Sequence, residues 1–345
     1  MTVKGRRATV SLLYNGVSAT TQVAGYLRTF KYTDVASGSS DSLSVELNDP
    51  DRKWIGAWFP QKGDKLKPTI QTEDWESDGQ SMKFQCGTFE VDDFSFKGGP
   101  ITMSLDALAL PAESSFKTTS RSVTYEKTTL EEIGKTVAER AGISLYYEAD
   151  KVTIEKVEQS NQNDCEFYKK LVEQYGLAMK IYDDKLVVFS EAIYEGKDAK
   201  ATLQESDFDP GWSWDTQLVG TYTGVQYEYT NSDKNQTFMV TAGGGDRILT
   251  CNDAADNLTE ATSIALAALN NANKGTTTMS VTIKAIPGLI ASDCVEIKGL
   301  SNLDGKYYIE QITHNVGSGY TMDLELRRVE QRFTEESSIS WINPS

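Results

Sequence analysis

Three pairs of neighbouring carboxylates, Asp92-Asp93, Glu131-Glu132 and Asp183-Asp184, are the side chains whose spacing could suggest acid–base chemistry. Two carboxyls that flank a glycosidic bond can cleave it, one as acid and the other as base or nucleophile. Adjacent residues on a strand point to opposite faces, so Asp92 and Asp93 cannot form that dyad. Glu131 and Glu132 open a helix, where acids complement the backbone dipole, and Asp183-Asp184 reads as a hairpin tip. His314 is the only histidine, and with no second imidazole to pair with it reads as a packed strand residue rather than a general base. Cys86, Cys165, Cys251 and Cys294 are scattered without a CxxC spacing, which argues against both zinc and a disulfide framework. Cys165 begins a helix, where a thiol pKa can fall, but with no partner in sequence it is expected to be inert. The Gly-Gly-Gly-Asp-Arg run at Gly243 lacks the Gly-Lys-Thr of a phosphate loop and reads as a mobile loop. Trp212 and Trp214 could stack on sugars, but aromatics beside a Pro-Gly boundary more often pack a junction. These residues add up to no catalytic site, no cofactor and no metal.

The charge balance narrows the partners. Of 345 residues, 50 are acidic and 34 basic, for a net charge of −16. That excludes a nucleic-acid or anionic-membrane surface as the main function, since both need clustered Lys and Arg. Acids lining a channel would instead keep DNA from adhering to it. The N-terminal Arg6-Arg7 is followed by no long apolar run, so neither a signal peptide nor a membrane span is expected, and the chain is expected to be made in the cytoplasm.

The elements that must carry these residues are mostly strands. Residues 1–110 contain six short strand-like runs separated by turn-formers such as Asn15-Gly16 and Gly98-Gly99-Pro100, with a short helix expected over Asp49–Phe59. Residues 111–206 read as a small α+β unit. One helix is capped by Thr129 with Glu132 and stopped by Gly142, a second is capped by Asn163 and stopped by Gly176, and a hairpin follows. Residues 207–332 return to strands around a long helix at 257–274, capped by Asn257. The polar tail, 333–345, ends near Trp341 and is expected to be mobile unless a partner holds it.

Two stretches align at a shift of 218 residues, GTFEVDDFSFKGGPITMSL and GKYYIEQITHNVGSGYTMDLEL. Gly87 falls on Gly305, Phe89 on Tyr307, Val91 on Ile309, Phe94 on Ile312 and Phe96 on His314. In both, the alternation of apolar residues slips by one after Val91 or Ile309, which predicts a bulge at the same place in each. The alignment reads as an internal repeat. It also makes His314 the counterpart of a phenylalanine, at a site that asks for a flat ring.

The same stretches carry a family likeness. SDSLSVELNDPDRKW with FPQKGDKL, CGTFEVDDFSFKGGPITMSLDALA, RSVTYEKTTLEEIGKTVAERAGISL, DCEFYKKLVEQYGLAMKIYDDKLVVF and PGLIASDCVEIKGL with KYYIEQITHNVGSGYTMDLEL occur in the order of the phage late control D family. The chain thus resembles the baseplate hub proteins of contractile phage tails and tail-like bacteriocins, over about residues 35–330. The resemblance implies a β-rich α+β fold: two tube-like antiparallel β-barrels related by the internal repeat, with a small α+β domain inserted. It implies a homotrimer presenting six similar barrels, which adapts a six-fold tail tube to a three-fold spike. The implied partners are the spike protein, the tail tube or its initiator, and other baseplate proteins, including LysM-type adaptors. The implied location is the baseplate of a virion or tail-like particle. Some relatives carry an extra enzymatic or needle domain after the second barrel; few residues follow it here, so a bare hub is expected. The rival reading is a tail-associated peptidoglycan hydrolase or peptidase.

Overall fold

The structure, a computed structural model, describes residues 5–109, 115–232, 234–335 and 339–341. The expected boundary at 110/111 and much of the 333–345 tail lie outside the described residues.

A fourteen-stranded sheet dominates the molecule. Its strands alternate buried and exposed side chains. Leu43, Val45 and Leu47 point inward from Ser42–Asn48, as do Met279, Val281 and Ile283 from Thr277–Lys284. Period-two alternation of this kind marks a sheet with one face in a core. Along the main path the order is Ser213–Thr216, Thr277–Lys284, Tyr320–Arg328, Gly305–Val316, Leu27–Val35, Ser42–Asn48, Thr102–Leu108, Phe89–Lys97, Lys65–Glu73, Arg7–Tyr14 and Val17–Ser18. Strands from the start and the end of the chain therefore lie side by side. The joint is antiparallel, with Val316 opposite Phe30 and Gln311 opposite Val35. One apolar core runs across it and includes Leu43, Phe89 and Met103 from one end of the chain with Met279, Tyr307 and Leu324 from the other. Full burial of each such side chain contributes about 1.5–3 kcal/mol.

Between these ends sits the α+β unit with a core of its own. A ribbon of Ser120–Thr129 and Thr153–Asn163 feeds two helices, Leu130–Arg140 and Asp164–Gln174. Both start where the sequence puts them. Thr129 and Glu132 form a reciprocal capping box, and the Asn163 side chain accepts the Glu166 N–H. Gly142 and Gly176 take the left-handed conformation just past the helices, with φ of 72° and 71°. Gly134 is required for a different reason: a Cβ there would lie 2.1 Å from the Tyr168 hydroxyl, so only glycine lets the helices come this close. A three-stranded sheet of Ser144–Glu148, Lys185–Phe189 and Ala178–Tyr182 backs the helices. Its hairpin turns at Asp183-Asp184, both with positive φ.

A third layer consists of Gly224–Asn231, Gln236–Gly243 and Ile248–Cys251, with the helix Leu258–Asn273 packed on them. Asn257 caps that helix by accepting the Glu260 N–H.

Two expectations are corrected here, and one element is new. Asp49–Phe59 forms turns rather than a helix. The buried Asp49 carboxylate takes up the N–H groups of Trp54 and Ile55, and Arg52 adopts a φ of 57°, which no right-handed helix admits. The long ribbon 120–129/153–163 has no counterpart in the sequence reading, because its mostly polar, solvated strands lack an apolar alternation. The tail is not wholly unattached either: Ile339–Trp341 pairs with Val240–Ala242.

Candidate functional site

The carboxylate pairs have structural employment. Asp92 is the extra residue of a bulge, and Asp93 accepts the Phe94 N–H; both are exposed. Glu132 belongs to the capping box, and hydrogen bonds from the Thr128 hydroxyl and then from Thr129 lower its pKa. Asp183 accepts the Thr88 hydroxyl at 3.0 Å. Burial raises the pKa of Cys165, opposite to what a reactive thiol needs. Among the described residues no group of three or more His, Cys, Asp or Glu could hold a metal ion. The run read as a mobile loop begins inside a strand: Gly243 ends Gln236–Gly243, a Cβ there would lie 2.3 Å from the Thr223 carbonyl oxygen, and that carbonyl accepts the Gly244 N–H at 3.0 Å. Trp214 donates to the Tyr307 hydroxyl at 3.1 Å, and Trp212 meets Phe208 edge to face at 6.2 Å; both tryptophans pack a junction, as read.

His314 lies at the joint between the two ends of the chain. It stands opposite Tyr32 and is fully buried. Its ring stacks on Tyr32, at 5.2 Å between centroids, and on Phe84, at 5.0 Å, whose own rings lie 6.1 Å apart. Nδ1 lies 2.8 Å from the Tyr320 hydroxyl, while Nε2 is buried without a partner. Burial lowers its pKa to about 3, so the ring stays neutral. A buried imidazole held in a cluster of aromatic rings and neutral at physiological pH is placed as a packing group rather than a proton shuttle.

The ten aligned residues fall on two hairpins of matching register. Val91 is opposite Ala107, Phe94 opposite Leu105 and Phe96 opposite Met103, with Asp92 bulged. Ile309 is opposite Leu326, Ile312 opposite Leu324 and His314 opposite Met322, with Glu310 bulged. Gly87 and Gly305 precede or open these strands, each with positive φ. Phe89, Val91, Tyr307, Ile309, Ile312 and His314 are buried, whereas Phe94 and Phe96 are half-buried and meet the exposed ring of Phe59.

Two buried ion clusters, invisible in the sequence, tie the layers together. Lys180, from the α+β unit, donates to Asp34 at 2.7 Å and lies 3.3 Å from Asp41. Asp34 also accepts the Ala291 N–H, so one side chain joins three distant segments. Burial raises the Asp41 pKa to about 7; Lys180 lowers it and Asp34 raises it again, because two carboxylates share one ammonium. In the second cluster the buried Arg327 meets Glu191, Glu195 and Glu310 and stacks on the Tyr308 ring at 4.2 Å. Burial opposes its charge, but the three carboxylates hold its pKa above the ordinary value. Burial likewise works against the Glu195 carboxylate, which Arg332 and Arg327 keep below the usual range. Glu310 is the bulged residue, so the bulge aims a carboxylate at the arginine.

These clusters tie the α+β unit to the sheet, and the chain carrying them is similar to phage tail proteins. No family model matches the chain. It is 22% identical over 366 residues to the "Probable baseplate hub protein" of Escherichia phage 186, covering 91% of each chain. The tail protein of prophage MuSo2 from Shewanella oneidensis superposes with a TM-score of 0.70, 14% identity, and coverage of 93% of this chain and 98% of that one. The chain has a tail-protein fold. The likeness in sequence is thus to a probable baseplate hub protein, and the likeness in fold is to phage tail proteins. The same tail-protein fold extends to the E. coli c3393 protein, with a TM-score of 0.55, 9% identity, and coverage of 93% of this chain and 76% of that one. That protein is described as a type VI secretion component similar in structure to the T4 tail proteins gp27 and gp5. Among the described residues, no helix is long and apolar enough to cross a membrane.

Proposed function

We propose that this chain is a structural baseplate hub of a contractile tail or tail-like particle, and that it catalyses no reaction. Three copies form a ring in which each contributes two similar tube-like barrels, one from each end of the chain. The ring stacks six similar lobes on a six-fold tail tube and offers true three-fold symmetry to a spike. Tube, spike and further baseplate proteins, LysM-type adaptors among them, are the partners of this reading. The hub assembles in the bacterial cytoplasm and remains in the baseplate.

The observation that carries the proposal is likeness over nearly the full length of both chains to a probable baseplate hub protein. The matched hairpins, bulged at Asp92 and Glu310, support the reading of two barrels as copies. Copies that are similar but not identical suit a heterologous ring, in which each unit presents two different sides.

Negative-stain imaging of the purified chain, alone and co-expressed with its spike, tests this. Three-fold rings with an open centre and six similar lobes are expected. Compact particles without three-fold symmetry in both preparations would overturn it.

A further inference from the structure

The joint that closes one sheet inside this chain has a counterpart that the chain leaves open. Gly305–Val316 has two neighbours along the edge away from Tyr320–Arg328. Its first residues pair with Cys294–Lys298, Tyr307 opposite Val295 and Tyr308 opposite Cys294. Past the bulge, Gln311–Val316 pairs with Phe30–Val35. Phe89–Lys97 reproduces the first of these contacts, with Phe89 opposite Leu66 and Glu90 opposite Lys65. The second contact is missing: past its bulge, Asp93–Lys97 pairs with Thr102–Asp106 on one side and with no described strand on the other.

The matching half of the joint is also present and also open. Tyr32 stands opposite Leu43, which stands opposite Ala107. Trp214 stands opposite Met279, which stands opposite Leu326. Since Ala107 and Leu326 hold equal places in the two hairpins, Trp214 is the counterpart of Tyr32. Ser213–Thr216 is the terminal strand of the sheet, with one edge unpaired among the described residues.

We propose that these two edges pair between neighbouring copies of this chain. Asp93–Lys97 of one copy lies antiparallel to Ser213–Gln217 of the next, with Phe94 opposite Thr216, Ser95 opposite Asp215 and Phe96 opposite Trp214. The inference rests on the ring reading above and specifies how the ring closes.

The side chains fit the pattern of the closed joint. There, Tyr32 stacks on His314 at 5.2 Å, and the Thr33 and Thr313 hydroxyls lie 3.2 Å apart. At the open joint the same places bring Trp214 to Phe96 and Ser95 to Asp215, a second aromatic pair and a second hydrogen bond. Exposure follows the same logic. Tyr32, Ile312 and His314 are buried, while Phe94, Phe96 and Trp214 are only half-buried. Past the closed joint, Ala36 is fully buried and its N–H donates to the carbonyl of the bulged Glu310 at 2.8 Å. Its counterpart, Leu218, is 69% exposed, and Val219 beside it is 87% exposed. Solitary proteins protect such edges with short strands, charges or proline. Here Ser213–Thr216 is short and Asp93, Lys97 and Asp215 are charged, yet one edge also carries two phenylalanines and the other runs into Leu218-Val219. The two edges differ from one another, so the contact is heterologous and closes by rotation.

A disulfide tests the register. Residues directly opposite in an antiparallel pair have Cβ atoms about 4.5–5.5 Å apart, close to the range a disulfide spans. The full chain carrying Ser95→Cys and Asp215→Cys is oxidised with diamide and run on a non-reducing gel, beside each single variant and a double variant out of register, Ser95→Cys with Ser213→Cys. Mass photometry of the unoxidised proteins runs in parallel. Reducible two- and three-chain species at about tenfold the level of any control are expected for the in-register pair. Three-chain particles without that cross-link, or with equal cross-linking in both double variants, overturn this pairing and leave the hub reading standing. The same variants are examined with the spike co-expressed, and single-chain particles with no cross-link in both preparations overturn the ring as well as its joint.

Discussion

His314 shows how little chemistry an isolated histidine need imply. Its ring packs against Tyr32 and Phe84 in one aromatic cluster, and the aligned hairpin fills the corresponding place with Phe96. The ring is neutral in the fold, with a pKa of about 3, against the ordinary 6.5 it regains on unfolding. Between those values the unfolded chain binds the extra proton, so the contribution of this residue is complete above pH 6.5 and is lost as pH falls toward 3. His314→Phe keeps the ring and removes the titration. Denaturant unfolding should place it within about 1.5 kcal/mol of wild type at neutral pH, as for a volume-conserving swap, with less loss of stability than wild type on acidification. His314→Ala should cost about 3–5 kcal/mol, the range for emptying an aromatic site. A phenylalanine variant as damaged as the alanine variant would show that the Tyr320 hydrogen bond, not the ring, is what the site needs.

At the scale of elements, the α+β unit is attached through Lys180, whose ammonium serves Asp34 and Asp41 together. The helices of this unit were readable because caps and stops are local: Thr129, Glu132 and Gly142 act within a few residues of one another. The ion cluster was not, because its members come from positions nearly 150 residues apart in sequence and are brought together only by packing. Asp41 has its pKa raised from 3.8 to about 7, so the folded chain binds more protons than the unfolded one between those values. Its contribution is fully present below pH 3.8 and declines as pH rises through 7. Asp41→Asn removes the titration. The stability of wild type relative to this variant, from denaturant melts, should fall as pH rises across that window and stay level above it. A difference independent of pH would mean that Asp41 is ionised throughout.

For the whole molecule, Arg327 is the counterpart of Lys180 on the other side. It gathers Glu191, Glu195 and Glu310, and so fixes the segment leaving the α+β unit to the sheet formed by the end of the chain. Removing one partner from a buried ion cluster leaves the others uncompensated. Arg327→Met should therefore cost about 3–5 kcal/mol in chemical unfolding. A loss below about 1 kcal/mol would show that Arg332 and Lys274, which also reach Glu191, suffice to balance the cluster.

The sequence by itself determined what depends on neighbours along the chain. Strand alternation, the three capped helices, the Asp183-Asp184 turn and the slipped phase after Val91 and Ile309 were all readable, because each is set within one turn or one pleat. Tertiary structure alone decided that the two ends of the chain share one sheet and one core, with His314 against Tyr32. It also decided that Asp34, Asp41 and Lys180 meet, that Asp49 folds its segment into turns, and that the strands of 224–251 form a layer apart from the main sheet. Pairing between distant strands depends on which edges are left open and which faces must leave water, and no local pattern of residues records either.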